Sequence, residues 1–384
     1  MVVRDYLKTS LIVMYKTIYN TLYTIMTHVK KHNDKKAVFI LSRSKDIEGN
    51  SYYIYEELLN QLDGVKIHLV YTENKMNLNL FKELFTICNA RYLILDDYYL
   101  PIYLVKPNKR LKVIQLWHAA GAFKKFGYST IGTQFGPADN YLKLIPIHSN
   151  YTHVYVSSKN IIPFYAEAFN MSMHNIYPLG IPRIDLFKNE QQIAQIKNKL
   201  FTEYPLLKDD KSINILIAPT YRAGGIQKES SFNISSIISN FITDINKDVK
   251  IIFKAHPYMS KIELVNLEKN PNVVIANKYE INEWMLVSDA FITDYSSSIF
   301  DFALLERPIA HYVPDIDDYT KNRGLYQSIE EISDGAILRD EENLVHWINT
   351  RKSNEHYNTS RMVHVNFDHT ENVAKKIVSH FIYS

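Results

Sequence analysis

Four stretches of the sequence end an apolar, strand-like run on polar side chains that could do chemistry. They read LWHAAGAFKKFGY, IAPTYRAGG, IIFKAHPY and FITDYSSSIFDFALLERP. In open α/β sheets, ligands bind at the carboxyl ends of the strands. These four stretches are therefore the candidate functional segments of the chain.

The last of these stretches is typical of a phosphate-binding turn. A strand-like run ends at Asp294, and three serines, Ser296, Ser297 and Ser298, then precede an apolar run with helical spacing. Serines at a helix start cap its free N–H groups, and the positive end of the helix dipole attracts an anion. Ordinary capping needs only one serine, so three in a row favour a phosphate site.

The IIFKAHPY and IAPTYRAGG stretches add cationic groups. Lys254 and His256 alternate at a strand end, so their side chains point the same way, and Pro257 ends the strand. A cation beside an imidazole can neutralise or protonate the charge that develops on a diphosphate leaving group. Arg222, which follows Thr220, offers a bidentate fork for the same oxygens. Any of these residues could be an ordinary surface residue, but together they indicate an anion site.

His118 follows the predicted strand KVIQLW and would belong to the other half of the protein. A neutral imidazole can take a proton from a hydroxyl nucleophile. Gly121, with two alanines before it, leaves room for a bulky acceptor, and Lys124 and Lys125 could contact the phosphates of that acceptor. Taken alone, His118 could equally be a histidine that merely closes a strand.

Twelve apolar runs are the candidate strands that must position these segments. They are AVFIL (37–41), KIHLVY (66–71), RYLIL (91–95), KVIQLW (112–117), HVYVSS (153–158), NIYPLG (175–180), INILIAPT (213–220), VKIIFKAH (249–256), NVVIAN (272–277), AFITDYS (290–296), IAHYVPD (309–315) and AILRD (336–340). Strands separated by segments of helical length predict parallel sheets with helices on both faces. No glycine-rich dinucleotide fingerprint or Walker loop follows any of these runs, which argues against NAD-dependent enzymes and P-loop NTPases.

The chain of 384 residues is long enough for two domains. We predict an α/β protein with two Rossmann-like domains, 37–188 and 213–384, whose parallel sheets face a central cleft. The polar segment 189–212 is a helical connector, and the last helix could pack back on the first domain. A net charge of +3 gives no indication of nucleic-acid binding. The single cysteine, Cys88, excludes an internal disulfide and fits a reducing cytoplasm.

Residues 1–36 predict an amphipathic helix. Lys16, Asn20 and Thr24 would form one polar stripe, and apolar residues fill the wide remainder. The longest uninterrupted apolar run is far too short for a membrane span of about 20 residues. Two interpretations stay open: a helix docked on the protein's own core, or a helix in the bilayer interface with the lysines that follow it meeting anionic lipid.

The motifs WHAAGAFKKFG, PTYR, KAHP and TDYSSSIFDFALLERPI, in this order, resemble those of the CDP-glycerol glycerophosphotransferases of teichoic acid synthesis in Gram-positive bacteria. The resemblance covers roughly residues 50–330, and the combination of motifs is highly specific. It implies a GT-B-like fold, an acceptor-binding first domain, a CDP-glycerol-binding second domain, and a peripheral location on the cytoplasmic face of the cell membrane.

The resemblance also implies roles for individual residues. His118 matches a histidine proposed as the catalytic base, and His256 matches a histidine that contacts the donor pyrophosphate. The three serines match the phosphate-binding helix start, whereas Asp294 and Arg222 match positions with less certain roles. Lys254 and Thr220 would join this donor site. Arg323, in PDIDDYTKNRGLY, matches a loop near the donor, and Gly121, Lys124 and Lys125 would bind the acceptor.

Polymerases of the family usually carry WHGTP where this chain carries WHAAGAFKKFG, and they commonly have a long N-terminal extension. The variant resembles the primase branch. We therefore expect a primase that transfers sn-glycerol-3-phosphate from CDP-glycerol to the ManNAc of undecaprenyl-diphosphate-linked GlcNAc–ManNAc and releases CMP. The alternatives are a poly(glycerol phosphate) polymerase, a CDP-ribitol ribitolphosphotransferase, a GT-B glycosyltransferase that uses a nucleotide sugar, and a non-catalytic membrane scaffold.

The expected partners follow from this assignment: CDP-glycerol, the lipid-linked disaccharide, an anionic membrane surface and other teichoic acid enzymes, but no nucleic acid. No group of His, Cys, Asp or Glu has metal-site spacing, so we expect no cofactor and no tightly bound metal. Loosely held Mg²⁺ that accompanies the nucleotide stays open.

Overall fold

The computed structural model describes residues 2–133, 136–209, 211–220, 238, 241–256 and 261–384. It contains two six-stranded sheets, with strand orders β2-β1-β3-β4-β5-β6 and β12-β11-β10-β7-β8-β9. Neighbouring strands in both sheets pair in parallel. The predicted α/β class with two parallel sheets is confirmed.

The chain divides into two compact units. The first comprises the described residues of Met1–Ala119, Lys125–Asp185 and Phe367–Ser384. Its strands are β1 (Asn33–Leu41), β2 (Lys66–Tyr71), β3 (Ala90–Leu95), β4 (Lys112–Gln115), β5 (His153–Tyr155) and β6 (Ile176–Tyr177). Its helices are α1 (Val2–Val29), α2 (Gly49–Gln61), α3 (Leu78–Ile87), α4 (Leu100–Leu104), α5 (Asp139–Leu144), α6 (Ile162–Phe169) and α15 (Val373–Tyr383).

The second unit comprises the described residues of Ala120–Lys124 and Leu186–Asn366. Its strands are β7 (Ile213–Ile217), β8 (Val249–Phe253), β9 (Val273–Ile275), β10 (Ala290–Thr293), β11 (Ile309–Tyr312) and β12 (Ala336–Leu338). Its helices are α7 (Glu190–Glu203), α8 (Lys261–Glu268), α9 (Ile281–Leu286), α10 (Ser298–Ala303), α11 (Ile316–Arg323), α12 (Ile329–Ile332), α13 (Glu341–Asn349) and α14 (Ser360–Asn366).

The central strands of the second sheet are mostly apolar and are buried along their whole length. Every residue of β7, β8, β10 and β11 is buried, whereas the edge strand β2 is largely exposed. This pattern is typical of parallel sheets, whose interior strands are buried on both sides. Each of the twelve predicted runs contains a strand, but most of the strands end earlier than the run does.

The last helix, α15, packs within the first unit. The Asp185 carboxylate accepts hydrogen bonds from the backbone N–H groups of Val373 and Ala374, both at 2.9 Å, and so caps the helix start. Gln61 of α2 accepts a hydrogen bond from the Ser379 hydroxyl at 2.8 Å. The segment that begins at Phe367 therefore returns to the unit in which the chain began.

Helix α1 docks on the first unit through its polar and tyrosine side. Tyr19 is fully buried and donates to the Leu80 carbonyl at 3.0 Å, and Lys16 donates to the Leu144 carbonyl at 2.8 Å. The opposite side exposes an unbroken row of apolar side chains, each 39–79% exposed, namely Leu7, Leu11, Met14, Ile18, Leu22, Ile25 and Val29. Among the helices the structure describes, none is both long and apolar enough to cross a membrane.

Candidate active-site residues

The carboxyl ends of β1, β3 and β4 bring a charged cluster to one edge of the first sheet. Leu95 of β3 lies opposite Gln115 of β4, so the residues that follow these strands are neighbours. The Arg43 guanidinium forms an ion pair with the Asp97 carboxylate, with an Nη2–Oδ2 distance of 2.8 Å. His118 Nδ1 lies 3.0 Å from the backbone carbonyl oxygen of Asp96.

This last contact fixes the tautomer of the His118 imidazole. A carbonyl oxygen can only accept a hydrogen bond, so Nδ1 must carry the proton and Nε2 presents its lone pair. Burial lowers the pKa of His118 to about 4, and the positive charge of Arg43 acts in the same direction, against the opposing effect of Asp97. At neutral pH the imidazole is therefore uncharged, with Nε2 ready to accept a proton.

The two aspartates beside His118 differ in their ionisation. Burial raises the pKa of Asp96 to about 6. Burial alone would also raise the pKa of Asp97, but the neighbouring His118 and Arg43 hold it below its ordinary value. Arg43, Asp96 and Asp97 were not singled out from the sequence, although each of them follows a predicted strand.

The turn that carries His118 has an unusual backbone. Trp117 has a positive φ of 52°, and its N–H donates to the Gln115 side chain at 2.9 Å. This turn ends β4 at Gln115, so the prediction that the strand runs to residue 117 is wrong. The indole packs against the His118 ring at 4.3 Å and against the Phe126 ring at 5.1 Å between centroids.

In the second unit, the predicted donor residues follow three neighbouring strands. The sheet order β10-β7-β8 places the segments after these strands side by side. Asp294 is fully buried, and its carboxylate accepts from the Thr220 N–H at 3.0 Å and from the Thr220 hydroxyl at 3.0 Å. Asp294 therefore holds the end of β7 against the end of β10. Arg222 lies outside the described residues.

The predicted serine-rich helix start is present. Helix α10 begins at Ser298, and the Ser296 and Ser298 hydroxyl oxygens are 2.7 Å apart. Ser297 is the residue before the helix, and its side chain makes no capping hydrogen bond. Lys254 and His256 follow β8 and are partly buried, and the Lys254 ammonium donates to the Tyr279 carbonyl at 2.7 Å. Phosphate binding by these residues stays a prediction.

Gly121 and Lys124 belong to the second unit, whereas Lys125 belongs to the first. Gly121 has a φ of +65°, and a Cβ added there would lie 2.6 Å from the Phe300 ring and 2.7 Å from the Asn366 side-chain oxygen. The space left by the missing side chain is thus already filled, so packing explains this glycine without an acceptor. Lys124 pairs with Leu325, two residues after Arg323 at the end of α11. Acceptor binding by these lysines and donor binding by Arg323 stay predictions.

Within the described ranges, no group of three or more His, Cys, Asp or Glu side chains is placed to hold a metal ion. The expectation of no tightly bound metal stays a prediction, because residues outside those ranges could contribute ligands.

Comparisons of the sequence with a family model and with known relatives indicate the same protein family. The model of the CDP-glycerol:poly(glycerophosphate) glycerophosphotransferase family matches residues 21–379. The chain is 35% identical to the teichoic acid ribitol-phosphate primase of Bacillus spizizenii, over 97% of this chain and 98% of the relative. It is 34% identical to the ribitol-phosphate polymerase TarL of Staphylococcus aureus, over 85% of this chain and 58% of the relative. It is 26% identical to the glycerol-phosphate primase of Bacillus subtilis, over 79% of this chain and 81% of the relative.

Solved structures share the fold. The wall teichoic acid polymerase TagF superposes with a TM-score of 0.74 at 20% identity, over 99% of this chain and 96% of that chain. The UDP-GlcNAc 2-epimerase of Neisseria meningitidis superposes with a TM-score of 0.56 at 12% identity, over 91% of this chain and 100% of that chain. The GT-B-like fold predicted from the motifs is confirmed.

Proposed function

Because the chain belongs to the CDP-glycerol:poly(glycerophosphate) glycerophosphotransferase family, we propose that it is a teichoic acid primase that transfers ribitol phosphate from CDP-ribitol to a lipid-linked acceptor. The observation that carries this proposal is the 35% identity to a ribitol-phosphate primase along nearly the whole of both chains. The relatives named for ribitol phosphate are 31–35% identical to this chain.

Glycerol phosphate is the second candidate for the transferred group. The sequence motifs favour it, and so does the description of the family. The primases named for glycerol phosphate, however, are only 26% and 27% identical to this chain. The two donors carry the same reactive diphosphate, so the same groups would act on either of them.

The chemistry follows from the state of His118. Nε2 takes the proton of the acceptor hydroxyl, and the hydroxyl oxygen attacks the phosphorus atom that is bonded to the polyol. A new P–O bond forms as the P–O bond to the CMP oxygen breaks, and CMP leaves with the electron pair. Lys254, His256 and the serines at the start of α10 would stabilise the charge on the departing CMP.

A donor comparison tests this proposal. We would measure turnover of CDP-ribitol and CDP-glycerol separately, with a lipid-linked GlcNAc–ManNAc analogue. We expect the higher kcat/KM with CDP-ribitol and a loss of about 10²-fold or more in His118→Gln, since a positioned general base typically contributes 10²–10⁴-fold. His68→Gln, which replaces an exposed histidine on β2, is the matched control and should keep the wild-type rate. Turnover of CDP-glycerol alone would overturn the choice of donor.

We also propose that the exposed apolar row of α1 holds the protein at the membrane surface. Lys30, Lys35 and Lys36 donate to Phe85, Asp63 and Asn89 within the first unit. These bonds are to uncharged oxygens, so the lysines keep their charge, and the apolar row adds a contribution that does not need anionic lipid. Ile18→Glu should weaken sedimentation with phosphatidylcholine vesicles, whereas Thr24→Glu, on the same helix but away from the row, should not. Equal binding of both variants would contradict the proposal.

A further inference from the structure

The backbone turn between β4 and His118 is held in a conformation that it would not adopt on its own. Trp117 has a φ of +52°, in the left-handed region that is unfavourable for residues with bulky side chains. Such a conformation persists only where its surroundings enforce it, and it is often found beside functional residues. The residue immediately after it is His118.

Two side chains from other parts of the first unit hold this turn through its carbonyl groups. The Asn50 side-chain N–H₂ donates to the Trp117 carbonyl at 2.8 Å. The Arg183 Nη1–H donates to the His118 carbonyl at 2.8 Å. These consecutive carbonyls flank His118, so the two hydrogen bonds fix the orientation of its backbone.

Asn50 and Arg183 are themselves connected. The Asn50 side-chain oxygen accepts the Arg183 backbone N–H at 3.1 Å. Asn50 is the second residue of α2 and is 3% exposed, and Arg183 lies in the 3₁₀ helix Pro182–Lys188. A buried amide with both ends bonded cannot rotate without losing a hydrogen bond, which makes the connection rigid.

We propose that Asn50 and Arg183 are positioning residues for His118: they hold the left-handed turn and thereby aim the Nε2 lone pair at the acceptor hydroxyl. This inference rests on the proposed role of His118 as the base. The third restraint is the hydrogen bond from Nδ1 to the Asp96 carbonyl. Because both the backbone and the ring of His118 are fixed, the imidazole loses little conformational entropy when the transition state forms.

Asn50→Ala tests the position of the base. We expect kcat to fall by about 10- to 100-fold, because a displacement of about 1 Å can cost that much, while the KM for the donor stays near the wild-type value. Asn214→Ala is the matched control. Asn214 is 5% exposed and, like Asn50, makes two side-chain hydrogen bonds to the backbone, here by donating to the carbonyls of Leu207 and Val287, but it lies on β7 in the second unit. Its kcat should not change.

Arg183 allows a second, independent test, because its charge faces His118. Arg183→Gln should lower kcat and move the acid limb of kcat/KM to higher pH, since a positive charge that disfavours the imidazolium is lost. Arg183→Lys keeps the charge, so it should lower kcat without moving the acid limb. The other charged or titratable groups around His118 are Arg43, Asp96, Asp97 and His148, and both variants leave them in place.

A double-variant comparison shows whether Asn50 acts through His118. In the His118→Gln background, Asn50→Ala should cause no further loss of the residual rate, because the base that it positions is already gone. A folded Asn50→Ala enzyme or a folded Arg183→Gln enzyme with the wild-type kcat would overturn the inference, because both side chains hold the turn through hydrogen bonds. Full activity in His118→Gln would instead overturn the role of His118 as the base, and the two failures are thus distinct.

Discussion

The low pKa of His118 predicts how the reaction responds to acid. With a pKa of about 4, roughly 90% of the imidazole is still neutral at pH 5. With the ordinary pKa of about 6.5, only about 3% would be neutral. From pH 7 to pH 5, the loss of neutral base should therefore lower kcat/KM by only about a tenth, against roughly 25-fold for an unperturbed histidine.

The measurement is kcat/KM for the donor between pH 3.5 and pH 8, a range that includes the pKa of about 4, because this quantity reports the ionisation of the free enzyme. Arg43→Gln identifies the residue that titrates. It removes the positive charge that Arg43 places near the imidazole and leaves the Asp97 carboxylate without its ion-pair partner, and both changes favour the imidazolium. The acid limb should therefore move to higher pH.

Arg91→Gln is the matched control for this experiment. Arg91 is the second residue of β3, and its guanidinium donates to the Arg110 carbonyl at 2.7 Å. Its replacement removes the same charge from the same unit, at the opposite end of the strand from Asp97, and should leave the acid limb in place. A wild-type acid limb near pH 6.5, or one that Arg43→Gln does not move, would refute the reasoning.

Two further predictions concern stability. Gly121→Ala should lower the free energy of unfolding by about 2–5 kcal/mol, the sum of about 1–2 kcal/mol for the positive φ and about 1–3 kcal/mol for the close contact with Phe300. Urea unfolding measures this loss, and an unchanged midpoint would contradict the packing. His148 is 1% exposed, and burial lowers its pKa to about 3. The unfolded chain binds a proton at His148 more readily than the folded protein does. The stabilisation that comes from keeping His148 neutral is therefore present above pH 6.5 and is lost as the pH falls towards 3, by about 1.4 kcal/mol per pH unit. His148→Phe should make the acid limb of stability less steep in thermal unfolding between pH 4 and pH 7, and an equal slope in both proteins would contradict this.

Strand ends were the most informative feature of the sequence. Parallel strands carry their ligand-binding residues at one edge, so the strand ends predict His118, Lys254 and Asp294 as site residues. The structure places each of them after a strand, and their roles in binding or catalysis stay predictions. The same rule would have found Arg43 and Asp97 had it been applied to every strand. The bounds were less accurate: β4 stops at Gln115 because the Gln115 side chain captures the Trp117 N–H, and apolar periodicity carries no sign of that turn.

Other features could not be predicted because they depend on contacts between distant segments. Asn50 and Arg183 are 133 positions apart, and neither lies in a motif that was singled out from the sequence. The sequence predicts room for an acceptor at Gly121, but Phe300 and Asn366 lie against the position that a Cβ would take there. The sequence leaves open whether the lysines after α1 contact lipid, and it gives no sign that Lys36 is 7% exposed and donates to Asn89. In each case the residue type indicates a chemical role, but the sequence does not show which residues its side chain contacts in the fold.

The most direct test of the central claim is the mass of the product formed from CDP-ribitol and the bare lipid-linked disaccharide. A single added ribitol phosphate, formed by the wild-type protein and absent with His118→Gln, is the predicted result. A ladder of added units would identify a polymerase. Transfer of glycerol phosphate without any transfer from CDP-ribitol would contradict the account. The absence of transfer from either donor would also contradict it.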